Sequence, residues 1–113
     1  MSSVNFFKED VAFRLKGSQK LKRWIKATIL REKHTLRSLN YIFCSDSALL
    51  ERNIQYLNHN TLTDIITFDL SEERGLIEGE IYISIDRVKE NAGKFSKTFE
   101  DELHRVLIHG VLH

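Results

Sequence analysis

The sequence predicts a single α/β (α+β) domain, with a mixed sheet of about four strands, helices packed on it and a buried, central last helix. Three observations predict this. Strand-like and helix-like segments follow one another in the order β-α-β-α-β-β-α-α, the pattern of helices layered on a sheet. The 113 residues, 42% hydrophobic and 29% charged, suffice for one core and have an ordinary globular balance. Finally, the chain has no proline, and no glycine- or serine-rich tract, repeat or low-complexity run marks a linker.

Each element has its own signal. "SVNFF" and "VAFRL" are candidate first strands. "GSQKLKRWIKATILREK" reads as a helix with Ser18 as N-cap, its apolar face formed by Leu21, Trp24, Ile25, Thr28 and Ile29. At about 100° per residue, Lys22, Lys26 and Lys33 gather on the opposite side. "SLNYIFC" is aromatic and β-branched, as strands are. "SDSALLERNIQYLN" opens on Ser45 or Asp46 as a cap and repeats Leu49, Leu50, Ile54 and Leu57 at helical intervals. "TDIITFDL" and "GEIYISID" are strands joined by the acidic turn "SEERGLIEG", which predicts an antiparallel pair. In the second strand Ile81, Ile83 and Ile85 alternate with Glu80, Tyr82, Ser84 and Asp86, assigning the isoleucines to the core. Tyr82, Ser84 and Asp86 are then expected to face solvent or a groove.

Asp86 is the expected cap of a short helix, "RVKENAGKF", weakened by Gly93. Thr98 is the expected N-cap of the last helix, with Asp101 three residues on and acids at 100, 101 and 102 suiting the positive end of the helix dipole. From Leu103 onward this helix is apolar on nearly every side, which predicts burial in the domain centre.

Composition narrows the function classes. No apolar run approaches the roughly 18 residues needed to cross a bilayer, and the N-terminus lacks the basic and apolar regions of an export signal. A lone cysteine, Cys44, has no disulfide partner in the chain, which fits a reducing, cytoplasmic setting. Its place in "LNYIFC" predicts a buried strand thiol rather than a nucleophile. The net charge of +1 gives no global case for nucleic acid, yet the basic residues cluster. Between positions 14 and 37 the chain carries nine lysines and arginines and a single acid, Glu32.

The chain closes on "HRVLIHGVLH". Four residues of helix turn through about 400°, so His109 and His113 project from one stripe, on which Val106 and Glu102 also lie. Two imidazoles so placed are able to share a zinc ion at about 2.0 to 2.1 Å each. His104 points about 140° away and is expected to be a bystander. The alternative is a pair of core histidines, but an imidazole in the chain's most hydrophobic segment needs a polar partner. Gly110 between them permits close packing on a strand or close approach of a substrate. It also stands where H-E-x-x-H peptidases place their general base, which disfavours a peptidase.

The same residues resemble a known family. "HRVLIHGVLH" is similar to the start of the H-G-x-L-H-x-x-G signature of YbeY-type endoribonucleases, or rRNA maturation factors. "NIQYLNHNTLTDIITFDL" resembles their N-x-x-Y segment leading to T-D-V-L-S-F, and "GEIYISIDRVKENA" their G-D-I-x-I-S strand with its following helix. The resemblance runs from about residue 40 to the end and is weaker before that.

It implies a zinc-dependent, single-strand-specific endoribonuclease acting in rRNA maturation, including 16S rRNA 3′-end processing, and in ribosome quality control. Its implied partners are single-stranded RNA or rRNA and the ribosome or its proteins, with no membrane and no disulfide partner. His109 and His113 match the first two zinc ligands. The third would lie beyond His113, so a C-terminally incomplete chain that binds zinc weakly and has little or no activity is expected. The family's arginine after the N-x-x-Y tyrosine, associated with activity, is replaced here by Leu57, and Arg52 has no claim to its role. A basic face bearing Lys22, Arg23, Lys26 and Lys33 is a candidate for the RNA backbone, a solvated helix surface being the alternative. A noncatalytic ribosome- or RNA-binding assembly factor is the rival reading, and another metallohydrolase a lesser one.

Overall fold

The computed structural model describes residues 2–112. Its elements are β1 (Ser3–Lys8), α1 (Ser18–Arg31), β2 (Thr35–Cys44), α2 (Asp46–Leu57), β3 (Ile65–Asp69), β4 (Leu76–Ser84), α3 (Ile85–Lys94) and α4 (Phe99–Leu112). This is the expected order. One candidate strand fails: "VAFRL" lies outside any strand, in the connection from β1 to α1.

The sheet order is β1-β2-β4-β3. β1, β2 and β4 run parallel, as strands joined through helical crossovers must, and β3 runs antiparallel to β4, as the short turn predicts. Gly79 of β4 faces Asp69 of β3. A Cβ there would run into the Phe68 carbonyl oxygen, so only glycine lets the two strands close to this register.

The two faces of the sheet are covered unequally. On one, Leu21, Ile25 and Ile29 of α1, Val88 of α3 and Leu103, Val106 and Leu107 of α4 pack on Val4, Leu39, Tyr41, Phe43, Ile81 and Ile83. On the other, α2 lays Leu49 on Cys44 and Ile66, with Phe68 and Tyr82 alongside. The period-two reading of β4 therefore holds at Ile81 and Ile83, while Ile85 is buried as the first residue of α3. The opposite positions meet α2. Tyr82 lies under the Arg52 guanidinium, 4.1 Å from ring centroid to carbon, and Ser84 is fully buried, its hydroxyl donating to Asp46 at 2.6 Å.

Caps correct the sequence reading in three places. Gly17, in the left-handed region at φ 66°, is the N-cap of α1, and Ser18 is its first helical residue. Ser84 rather than Asp86 caps α3, accepting from the Arg87 N–H at 3.2 Å, while Asp86 accepts from the Asp46 N–H at 2.9 Å. Lys33 lies past the end of α1 at φ 63°, so it is not on the helix face with Lys22 and Lys26. Ser45 caps α2 and Thr98 bonds the Asp101 N–H, as expected.

Two helices bury less than their apolar patterns suggest. In α1 Trp24 is 37% exposed, and in α2 Leu49 and Asn53 are buried while Ile54 and Leu57 are exposed. Asn53 holds its place because its amide donates to the Thr61 carbonyl at 2.8 Å, satisfying a polar group that burial would otherwise penalise.

Candidate metal and RNA-binding site

The last turn of α4 is held from two sides. Gly110 lies so close to β4 that a Cβ there would stand 3.2 Å from two carbons of Ile81 and 3.5 Å from Ile65, so the glycine serves close helix-to-strand packing. The buried Tyr41 hydroxyl donates to the Leu107 carbonyl at 2.7 Å, and the Thr67 hydroxyl donates to the Gly110 carbonyl at 3.4 Å. The second bond gives a partner to a carbonyl in the final turn, where intrahelical acceptance runs out, and the first adds an acceptor contact one turn earlier.

His109 is thereby fixed on the solvent side. The helix is buried over most of its surface, with one outward line: Glu102, Leu103, Val106, Leu107 and Gly110 are buried, whereas Asp101, Arg105 and His109, four residues apart, are exposed. Around the helix His109 falls between Glu102 and Arg105, about 20° from the first and 40° from the second, so it stands where the buried stripe turns to solvent. Its ring borders an open depression of about 430 Å³, with Trp24, His104, Arg105 and Ile108. His104 lines the same depression, its ring 5.5 Å from that of Trp24. A second, narrower cleft of about 110 Å³ separates the end of α4 from β3 and β4, with Thr67, Gly79 and Gly110 among its walls.

Beside His109, a charge cluster ties α4 to the start of β3. Arg105 donates two hydrogen bonds to Glu102, at 2.7 and 3.1 Å, and reaches Asp64 at 3.6 Å. Glu102 is fully buried, and its bonds from the Arg105 guanidinium hold its carboxyl below the usual range, against the opposing effect of burial. The opposite charges three residues apart could have been read in the sequence. Tyr41 and Leu107, 66 positions apart, could not.

A catalytic zinc takes three protein ligands. Among the described residues no three metal-ligating side chains converge, and these residues contribute one candidate donor, His109. An exposed imidazole on a clamped helix end suits a ligand, while His113 lies outside the described residues. Cys44 offers nothing here. It is fully buried, its thiol donates toward the Ile83 carbonyl at 3.6 Å, and burial pushes its pKa up to about 12, which leaves it protonated and unreactive. Arg52 is ion-paired with Glu9 and stacked on Tyr82 on the α2 face, and Leu57 ends α2 exposed.

The basic residues are dispersed. Lys22 is half-buried in a pocket beside β1, Arg23 and Lys26 are exposed on α1, and Lys33 stands in the turn beyond it.

A family model described as endoribonuclease YbeY matches residues 4–113. The chain is 51% identical over 111 residues to an endoribonuclease YbeY of Cytophaga hutchinsonii, covering 98% of this chain and 78% of that one. With the Flavobacterium psychrophilum endoribonuclease YbeY it shares 50% over 109 residues, covering 95% and 76%. The solution structure of TM1509 from Thermotoga maritima superposes with a TM-score of 0.65 at 36% identity, over 98% of this chain and 71% of that one. The similarity thus extends through β1 and α1, which the sequence motifs alone did not reach. With a fold, a helix-end histidine and a match that run the length of the chain, this protein belongs to the endoribonuclease YbeY family.

Proposed function

We propose that the chain cleaves single-stranded RNA hydrolytically, in the cytoplasm and in the service of rRNA maturation, including 16S rRNA 3′-end processing and ribosome quality control. The observation that carries this reading is His109, the first histidine of the family signature, held outward on a helix end that Gly110 and Tyr41 clamp to the sheet. Its metal would be zinc, held by His109 and His113 with a third ligand beyond them. Such a metal, when bound with an open position, lowers the pKa of bound water to about 7 and polarises a phosphoryl oxygen.

The chain's own residues do the rest. The clamp on α4 fixes the imidazole before substrate arrives, so little reorganisation is required on binding. Arg105 is held by Glu102 and Asp64, and these pairs fix the turn of α4 that carries His109. Lys22, Arg23 and Lys26 offer backbone contacts, with Lys33 further along, and rRNA within a ribosomal particle is the substrate proposed. Leu57, in place of the family arginine, favours one rival: a noncatalytic assembly factor that binds RNA or ribosomal proteins.

The two readings part in a cleavage assay on end-labelled single-stranded RNA with zinc supplied, run on protein that carries the whole family signature. The proposal expects cleavage by the native protein and a loss of about a hundredfold or more in His109→Ala, since removal of a ligand disables the site. RNA binding with no cleavage in either would establish the assembly-factor reading instead.

A further inference from the structure

Where β1 ends and α1 begins, a pocket of about 300 Å³ opens at the edge of the sheet. Its inner wall is aromatic. Phe6 stacks on the buried Phe43 with centroids 6.0 Å apart and planes 15° from parallel, and Phe13 meets Phe43 edge-on at 5.0 Å. Phe6 and Phe13 are only half-buried, which leaves part of each ring to the pocket. Its outer wall is cationic. Lys8 follows Phe6 on the same side of β1 by the period of two, and Arg14 and Lys22 complete the lining. None of the three forms an ion pair among the described residues. The nearest acids in sequence are engaged elsewhere, Glu9 with Arg52 and Asp10 with Ser45.

Three unpaired cations around an open aromatic wall form a site for an anion that also carries a flat ring. We propose that this pocket holds one nucleotide unit of single-stranded RNA, its phosphate among Lys8, Arg14 and Lys22 and its base against Phe6 and Phe13. Proteins that hold single strands combine these two elements, a positive track for the backbone and aromatic rings for the bases. The volume meets the lower limit for pockets that enclose a small ligand. Its placement serves the site described above. Arg14 also borders a second depression that His104 shares, and His104 lines the depression beside His109. A strand anchored here passes over Arg14 and His104 toward His109, so the pocket fixes which nucleotides reach the cleavage position. The inference rests on the RNA reading above.

The test measures fluorescence anisotropy of a labelled single-stranded oligoribonucleotide on the native protein, on Arg14→Ala/Lys22→Ala, and on Lys89→Ala/Lys94→Ala as a charge-matched control on α3. An oligonucleotide with abasic sites replaces substitution of Phe6, which stacks on core rings. The expected results are an affinity loss of about tenfold or more for the pocket variant, little for the control, weaker native binding of the abasic strand, and a raised KM at unchanged kcat. Equal losses in the two double variants would reduce the pocket to diffuse charge, and equal binding of abasic and intact strands would remove the base contact. Either result overturns the inference while cleavage by the native protein keeps the RNA reading intact. A native protein that neither binds nor cuts RNA overturns both.

Discussion

Gly110 shows how one residue sets the geometry of a site. Alanine there would favour the helix by up to about 1 kcal/mol, but its methyl would press on Ile81 at 3.2 Å. Because overpacking typically costs about 1 to 3 kcal/mol, Gly110→Ala is expected to lose about 1 kcal/mol net in urea unfolding. A stabilised variant would mean that Ile81 yields. The role of this glycine was legible in the sequence, since helices exclude glycine without a reason. The exposure of His109 was not. The apolar residues around it suggested burial, and only the exposed line Asp101, Arg105 and His109 reveals the outer face.

Glu102 gives a second prediction at this scale. The Arg105 hydrogen bonds lower its folded pKa below the ordinary 4.5. A carboxyl with a depressed folded pKa adds stability that is present above its unfolded value and is lost as pH falls through the lowered one. Glu102→Gln is therefore expected to flatten the fall in melting temperature on acidification below about pH 4.5, where the native protein loses this contribution. Identical acid profiles would show that the pair contributes nothing.

Among the elements, the helix starts at the C-terminal ends of β2 and β4 are coupled. Ser45 follows β2 and Ser84 ends β4, and the two cap α2 and α3. Ser84 also donates to Asp46, which Arg87 grips with bonds of 3.2 Å. One hydroxyl thus serves two helices, and Ser84→Ala is expected to cost about 1 to 2 kcal/mol, against about 0.5 to 1 for Ser45→Ala. Denaturant midpoints of the two variants check the order. The sequence showed both serines but favoured Asp86 as the second cap, because an acidic residue before a helix is a common signal. The choice between them was made by the turn out of β4, which buries Ser84 against α2.

At the scale of the molecule, the order of elements and the antiparallel β3-β4 pair were legible because periodicity and turn chemistry are local. The sheet order β1-β2-β4-β3 and the pocket at its edge were not. Phe6, Phe13 and Lys22 come from a strand, a connection and a helix, and only the β1-α1-β2 crossover brings them together. The basic stretch was likewise visible as composition, yet its residues divide among a pocket, an exposed helix surface and a turn. Among the described residues no helix is long and apolar enough to cross a membrane. What unites the molecule is the use of the sheet as an anvil, with α4 pressed onto β4 so that its end points outward.

The measurement that tests this most directly is a zinc titration by calorimetry on protein that carries the whole family signature and on its His109→Ala variant, with melting temperatures taken in parallel. The account predicts one-to-one binding that disappears on substitution while the exposed position leaves the fold and its melting temperature nearly unchanged. Binding of equal strength and stoichiometry in both proteins would contradict it and remove His109 from the site.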